Sequence, residues 1–181
     1  MTAETPADTT DTNERGSCCD ALQAELDAAN GELAKLRDDG GAGYRALASL
    51  AEADVMLARN DAKGAASRLG AVAGDTGLPQ PFRDLALVRQ TSIEFDQLQP
   101  QVVIDRLRGL AAPDSAFFGS AGELVAAAYL KQGKRAEAGK LFGQIAQSAG
   151  AVPDTVRQRA VEMAGVLGVD AIDQTREKNA K

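Results

Sequence analysis

The chain has 181 residues, 44% of them apolar and 4% aromatic, enough for one core of ordinary size, so a single domain is expected. Its formal charge of -6 is concentrated at the front, where residues 1–41 carry ten acids against three bases; the rest is near neutral, with 17 bases against 16 acids. A body without a basic stripe is a poor match for nucleic-acid phosphates, and a chain without histidine lacks His-dependent triads and the commonest metal ligand.

Thr2 to Gly16 is rich in Thr, Asp and Glu without apolar periodicity, so residues 1–16 are expected to be a disordered tail. They lack the apolar middle of a secretory signal, and no run in the chain approaches the roughly 18 apolar residues of a membrane span. The sequence therefore reads as soluble and untargeted. Ser17, followed three residues later by Asp20, gives a capping-type start to a helix over 17–39. Cys19, Leu22, Leu26, Ala29, Leu33 and Leu36 alternate in steps of three and four, as in a coiled-coil seam, although Gly31 weakens the helix by about 1 kcal/mol relative to Ala. Two readings stay open: a short coiled coil, or one amphipathic helix packed on the main body. Residues 40–43 form a Gly-rich joint.

Helical hairpins are predicted over 44–168. Tyr44, Leu47, Leu50, Ala51, Val55 and Ala58 share a face up to a turn at Asn60-Asp61, and a second helix covers about Ala62–Ala73. A third runs from about Phe82 to Leu98, and a fourth starts at Pro100, whose missing N–H costs nothing in a first turn. The fifth and sixth lie within Ala121–Ala146, a capping helix covers about Asp154–Leu167, and a charged tail occupies 169–181. Tyr129, Gly133, Ala138 and Phe142 have the spacing of a tetratricopeptide-type hairpin: two large anchors, a turn glycine and a small contact residue. A shift of 72 places Ala138, Leu141 and Gln144 on Ala66, Leu69 and Val72, and a weaker match appears near 35, where Tyr129 falls on Glu94. The expectation is an all-α, tetratricopeptide-like α-solenoid of three degenerate hairpins plus a cap, with Gly119, Gly122, Gly139 and Gly143 held by close helix packing.

The string Phe82-Arg-Asp-Leu-Ala-Leu-Val-Arg-Gln90, then Leu107, Leu110, Ala112-Pro113 and Phe118, leads into Gly122-Glu-Leu-Val-Ala-Ala-Ala-Tyr-Leu-Lys-Gln-Gly133. Over about residues 42–168 this resembles the tetratricopeptide-like domain of the bacterial ancillary SecYEG translocon subunit family, in its alphaproteobacterial form. The resemblance implies a non-enzymatic, periplasm-facing domain, anchored in the inner membrane by a preceding helix. It also implies partners among translocon components, folding factors and exported clients. Where that family has its membrane helix, this chain has the acidic helix at 17–37. A coiled coil ahead of such repeats is also similar in layout to the periplasmic cell-division coordinator family.

No catalytic, cofactor or metal site is expected. Asp39-Gly-Gly-Ala-Gly43 lacks the Lys-Ser/Thr ending and preceding strand of a phosphate loop, and the lone pair Cys18-Cys19 lacks the second pair of a zinc site. Cys19, on the seam, reads as an interchain disulfide, a redox sensor or an inert thiol. In a tetratricopeptide array the first helices line a groove, so Ser92, Glu123, Ala127 and Lys131, with Arg89 nearby, are candidate binding residues; each reads equally as an ordinary helix-surface residue. Phe117-Phe118 reads as groove anchor or core. The expected function is protein–protein interaction, the alternative being an envelope assembly factor that oligomerises through the 17–37 helix.

Overall fold

Alanine and leucine dominate the stretches between glycine and proline breaks, and the chain folds into helices at those stretches. The computed structural model describes residues 10–148 and 152–171, of which residues 10–19 are described by their backbone. Eight helices appear among them and no strand: α1 Thr10–Asp39, α2 Ala42–Ala58, α3 Ala62–Gly74, α4 Gln80–Glu94, α5 Pro100–Leu107, α6 Phe118–Lys131, α7 Arg135–Ala146 and α8 Asp154–Val166. Each packs on the next. In addition α2 touches α4, α4 touches α6 and α6 touches α8, while α3, α5 and α7 make no such contact among themselves. The even-numbered helices therefore form a closely spaced inner row and the odd-numbered ones an outer row. This is an α-solenoid of helical hairpins.

Three apolar clusters follow one another along the array. Leu50, Ala53, Leu69, Val72 and Leu78 join α2, α3 and the loop before α4; Val88, Val103, Ile104, Leu107 and Val125 join α4 to α6; Phe118, Phe142, Ile145, Val152 and Ala160 join α6 to α8. Tyr129 and Leu141 touch both of the last two clusters. Phe118 is thereby a core residue, and Phe117 packs against the middle cluster.

The repeat register differs from the predicted shift of 72. Asn60 and Gly133 both have positive φ, at 60° and 74°. Their turns make the same bonds: Asn60 and Asp61 donate to Leu57 and Met56, as Gly133 and Lys134 donate to Leu130 and Tyr129. Gly133 thus corresponds to Asn60, and buried Ala138, Phe142 and Ile145 to buried Ala65, Leu69 and Val72. Gly168, φ 81°, closes α8 with the same pattern. The middle hairpin departs because five residues, 95–99, separate α4 from α5 where three suffice elsewhere. Glu94, on which Tyr129 falls at a shift of 35, pairs with Arg106 at 2.6 Å.

Only Gly133's backbone, and no neighbouring atom, demands glycine: a Cβ there would meet nothing within 4 Å. Gly133→Ala should therefore cost about 1–2 kcal/mol from the left-handed backbone alone. Gly133→Asn should cost less, since Asn60 holds the same conformation. Urea midpoints in the order Gly, Asn, Ala are the expected result.

The ends differ from the sequence expectation. α1 begins at Thr10, seven residues before the predicted start, so Ser17 lies inside it. No proline stands between Pro6 and Pro79, and extending a formed helix costs far less than nucleating one. The joint is only Gly40-Gly41, since α2 already starts at Ala42. Gly40 N–H donates to Leu36 O at 3.0 Å, and a Cβ on Gly40 would lie 2.3 Å from that same oxygen, which makes this a tight hairpin turn. At the other end, 169–171, assigned to the charged tail, pack on the body: Ala171 is buried, and Val169 covers the glycine face of α7. The tails at 1–9 and 172–181, and the side chains of Cys18 and Cys19, lie outside the described residues.

α1, about 45 Å long, packs on α2 alone among the described helices. Leu26, Asn30, Leu33 and Arg37 are half-buried toward it, whereas Leu22, Ala29 and Leu36 are exposed. The predicted seam is thus split, one row against the body and one outside.

Candidate functional site

The row formed by α2, α4, α6 and α8 presents one continuous face, and oppositely charged side chains brace it at every step. Arg89 of α4 pairs with Asp54 of α2, 35 residues away. Lys131 at the end of α6 pairs with Asp96, also 35 residues away, at 2.8 Å. Arg159 of α8 pairs with Glu123 of α6 across 36 residues, through Nε at 3.0 Å and Nη2 at 2.8 Å. The separations are close to one repeat step, so charges of opposite sign on successive hairpins meet across each joint. The two-pronged bond to Glu123 raises the Arg159 pKa above its ordinary value.

Lys131 also lies 4.2 Å over the Phe95 ring and donates to Phe95 O at 3.4 Å, a cation held by an aromatic face and an acid at once. Beside it Gln132 Nε2 donates to Gln101 Oε1 at 3.2 Å. Of the candidate groove residues, Arg89, Glu123 and Lys131 therefore serve the joints between hairpins. Ser92 stands exposed on α4, with no side-chain bond among the described residues, and Ala127 is half-buried on α6.

The packing candidates sit as follows. Ala138 and Phe142 are buried in the α6–α8 cluster, Gly133 makes the turn and Tyr129 bridges two clusters. Tyr129 also lines a cleft of about 320 Å³ on the outer side, with Val125 and Leu141 as its apolar walls and Arg108, Glu137 and Lys140 among its polar ones.

Sequence reasoning read Asp96 as a solvated surface carboxylate and did not single out Asp54 or Arg159, so none of the partners in the ladder was recognised as one. The signal was present as acid–base pairs one repeat step apart, and it is unreadable until the repeat register is known. Nor did it find Glu52. This buried carboxylate on α2 receives Arg37 of α1 at 2.6 Å, and Arg68 of α3 lies 3.3 Å from its other oxygen, short of hydrogen-bond geometry. Hydrogen bonds from Arg37 first to Asp38 and then to Glu52 raise the Arg37 pKa, so the guanidinium that ties α1 to the body stays charged.

The ladder is bracing more than stability. Asp54 is 59% exposed along its side chain, and a double-mutant cycle of Asp54→Ala and Arg89→Ala should return a coupling of about 0.2–1 kcal/mol in thermal or urea unfolding. A coupling near zero would show that the pair does not hold α2 against α4.

Among the described residues no helix is long and apolar enough to cross a membrane. Residues 17–163 match the tetratricopeptide repeat-like domain family, and the chain belongs to that family. No curated protein and no solved structure matches the chain. Tetratricopeptide repeat-like domains are typically non-enzymatic scaffolds that bind other proteins.

Proposed function

We propose that this tetratricopeptide repeat-like chain binds newly exported proteins, or their folding factors, on the face of α2, α4, α6 and α8, in association with the SecYEG translocon. The translocon role draws on the likeness of Gly122–Gly133 and its flanks to the ancillary translocon subunit. The observation that carries the binding reading is the ladder Asp54–Arg89, Asp96–Lys131 and Glu123–Arg159. By holding the inner helices in register before a partner arrives, it lowers the ordering cost of binding. A photo-crosslinking residue at Ser92, in the full chain mixed with SecYEG proteoliposomes translocating a client, tests both parts. Adducts with client or translocon subunits are expected. Adducts formed only from the outer helices would overturn the choice of face, and none with either protein would overturn the translocon association.

A second reading, an assembly factor that self-associates through α1, draws on the exposed leucines of that helix alone and is opposed by the acids beside them. It requires dimers or larger species of the full chain in sedimentation equilibrium at micromolar concentration.

A further inference from the structure

The outer row of α1 continues onto the start of α2. Leu22 is 58% exposed, Leu36 45%, Tyr44 63% and Leu47 50%, and Leu36, Gly40 and Tyr44, with Asp39 and the Glu32-paired Lys35 at the rim, line an open, mainly apolar hollow of about 410 Å³. Large apolar side chains clustered in this way mark a docking surface more often than isolated ones do. The charges beside them define what docks. Leu22, Ala29 and Leu36 recur every seven residues, and three positions after each comes an exposed acid: Glu25, Glu32 and Asp39. On a helix the i+3 and i+4 neighbours flank a residue on opposite sides. The acids therefore form a rail along one edge of the apolar row, and Leu26 and Leu33, four positions on, turn the other edge into α2. Glu32 accepts from Lys35 at 2.8 Å on the exposed surface; Glu25 and Asp39 have no partner among the described residues.

This charge pattern opposes a second copy of the chain. A parallel pairing would need the row Gln23, Asn30 and Arg37 to meet the acids, but Asn30 and Arg37 face α2 and Arg37 is held by Glu52. An antiparallel pairing would set Glu25, Glu32 and Asp39 against the same acids of the other copy, and like charges at flanking positions disfavour association. The geometry points to a basic amphipathic helix of another protein, its apolar stripe laid on Leu22, Ala29, Leu36, Tyr44 and Leu47 and its lysines or arginines against Glu25, Glu32 and Asp39. This surface borders the ladder face at α2, where Leu47 stands two turns before Asp54, and the occupant goes beyond the function proposed for that face.

The test uses the full chain and two labelled three-heptad peptides with leucine at a and d, one carrying lysine and the other glutamate at e and g, read by fluorescence anisotropy. The lysine peptide should bind and the glutamate peptide should not, and binding should weaken as salt rises from 0.05 to about 0.3 M. Leu22→Asp with Leu36→Asp should weaken binding at least about tenfold. The triple variant Glu25→Lys, Glu32→Lys, Asp39→Lys should reverse the preference, binding the glutamate peptide instead. All five positions are exposed, so thermal melts should be unchanged, and the salt series on the unmodified chain needs no variant. Equal binding of both peptides, no binding, or indifference to the charge reversal would overturn the proposal. So would a dimer of the full chain that Leu22→Asp with Leu36→Asp dissolves. Crosslinking from Ser92 should persist in the charge-reversed variant, so the two faces fail or succeed separately.

Discussion

Phe118→Ala should destabilise the domain by about 3–5 kcal/mol in urea unfolding, the largest effect expected of a single substitution here. Phe118 is 1% exposed and begins α6, where it joins the cluster of Phe142, Ile145, Val152 and Ala160. Its ring sits beside the bare face of Gly122, where an added Cβ would lie 3.7 Å from Phe118 Cε2 and 2.8 Å from Ile145 Cδ1. That face is occupied from both sides, so the void left by alanine has few mobile neighbours to fill it. Since a domain of this size has about 5–15 kcal/mol of total stability, the loss removes a large share of it. A cost below about 1 kcal/mol would mean that α6 and α7 can collapse onto the space, contrary to their packing.

The same residue shows what was legible beforehand. The hairpins, their number and the anchors Tyr129, Ala138 and Phe142 follow from helical spacing between Gly and Pro breaks. Burial on a helix face is a local pattern of period 3.6, and it leaves a trace in every turn. Core packing was the favoured reading of Phe117-Phe118, and the structure places Phe118 in the core and Phe117 against it; which cluster each joins was not legible, because both faces of an α-solenoid helix meet other helices or a partner. The register of the repeat was missed by one residue. Alanine is so common in these helices that Ala138 matches Ala66 as well as Ala65, and only the positive φ shared by Asn60 and Gly133 separates the two. The seam of α1 was visible, but its division between α2 and solvent was not. Heptad spacing tells that leucines share a side of a helix and carries nothing about which neighbour covers them. Spacing placed Arg89, Glu123 and Lys131 on the side of the inner helices, whereas their roles as braces depend on Asp54, Arg159 and Asp96, each about one repeat away in sequence.

Gly139→Leu should cost about 2–3 kcal/mol, and Val169→Ala should give part of that back although it costs about 1 kcal/mol by itself. A Cβ on Gly139 would stand 3.0 Å from Val169 Cγ2 and 3.2 Å from Leu167 Cβ, and one on Gly143 3.1 Å from Val169 Cγ1. The segment after α8 is therefore laid into the bare side of α7, with Ala171 buried beyond it. A leucine displaces Val169, and trimming Val169 makes room, so the double variant should be more stable than the sum of the singles by at least about 0.5 kcal/mol. Additive costs would show that the segment does not rest on Gly139. The consequence reaches the binding face, because α8 is anchored on one side by this segment and on the other by Arg159 to Glu123. An overpacked α7 loosens the last inner helix, and the ladder loses its final rung. Gly139→Leu should thus lower crosslinking from Ser92 less than from a probe at Ala127, one turn along α6 from Glu123, with Val169→Ala restoring the latter. Equal losses at both positions would trace the effect to global unfolding instead, which a parallel thermal melt reads directly.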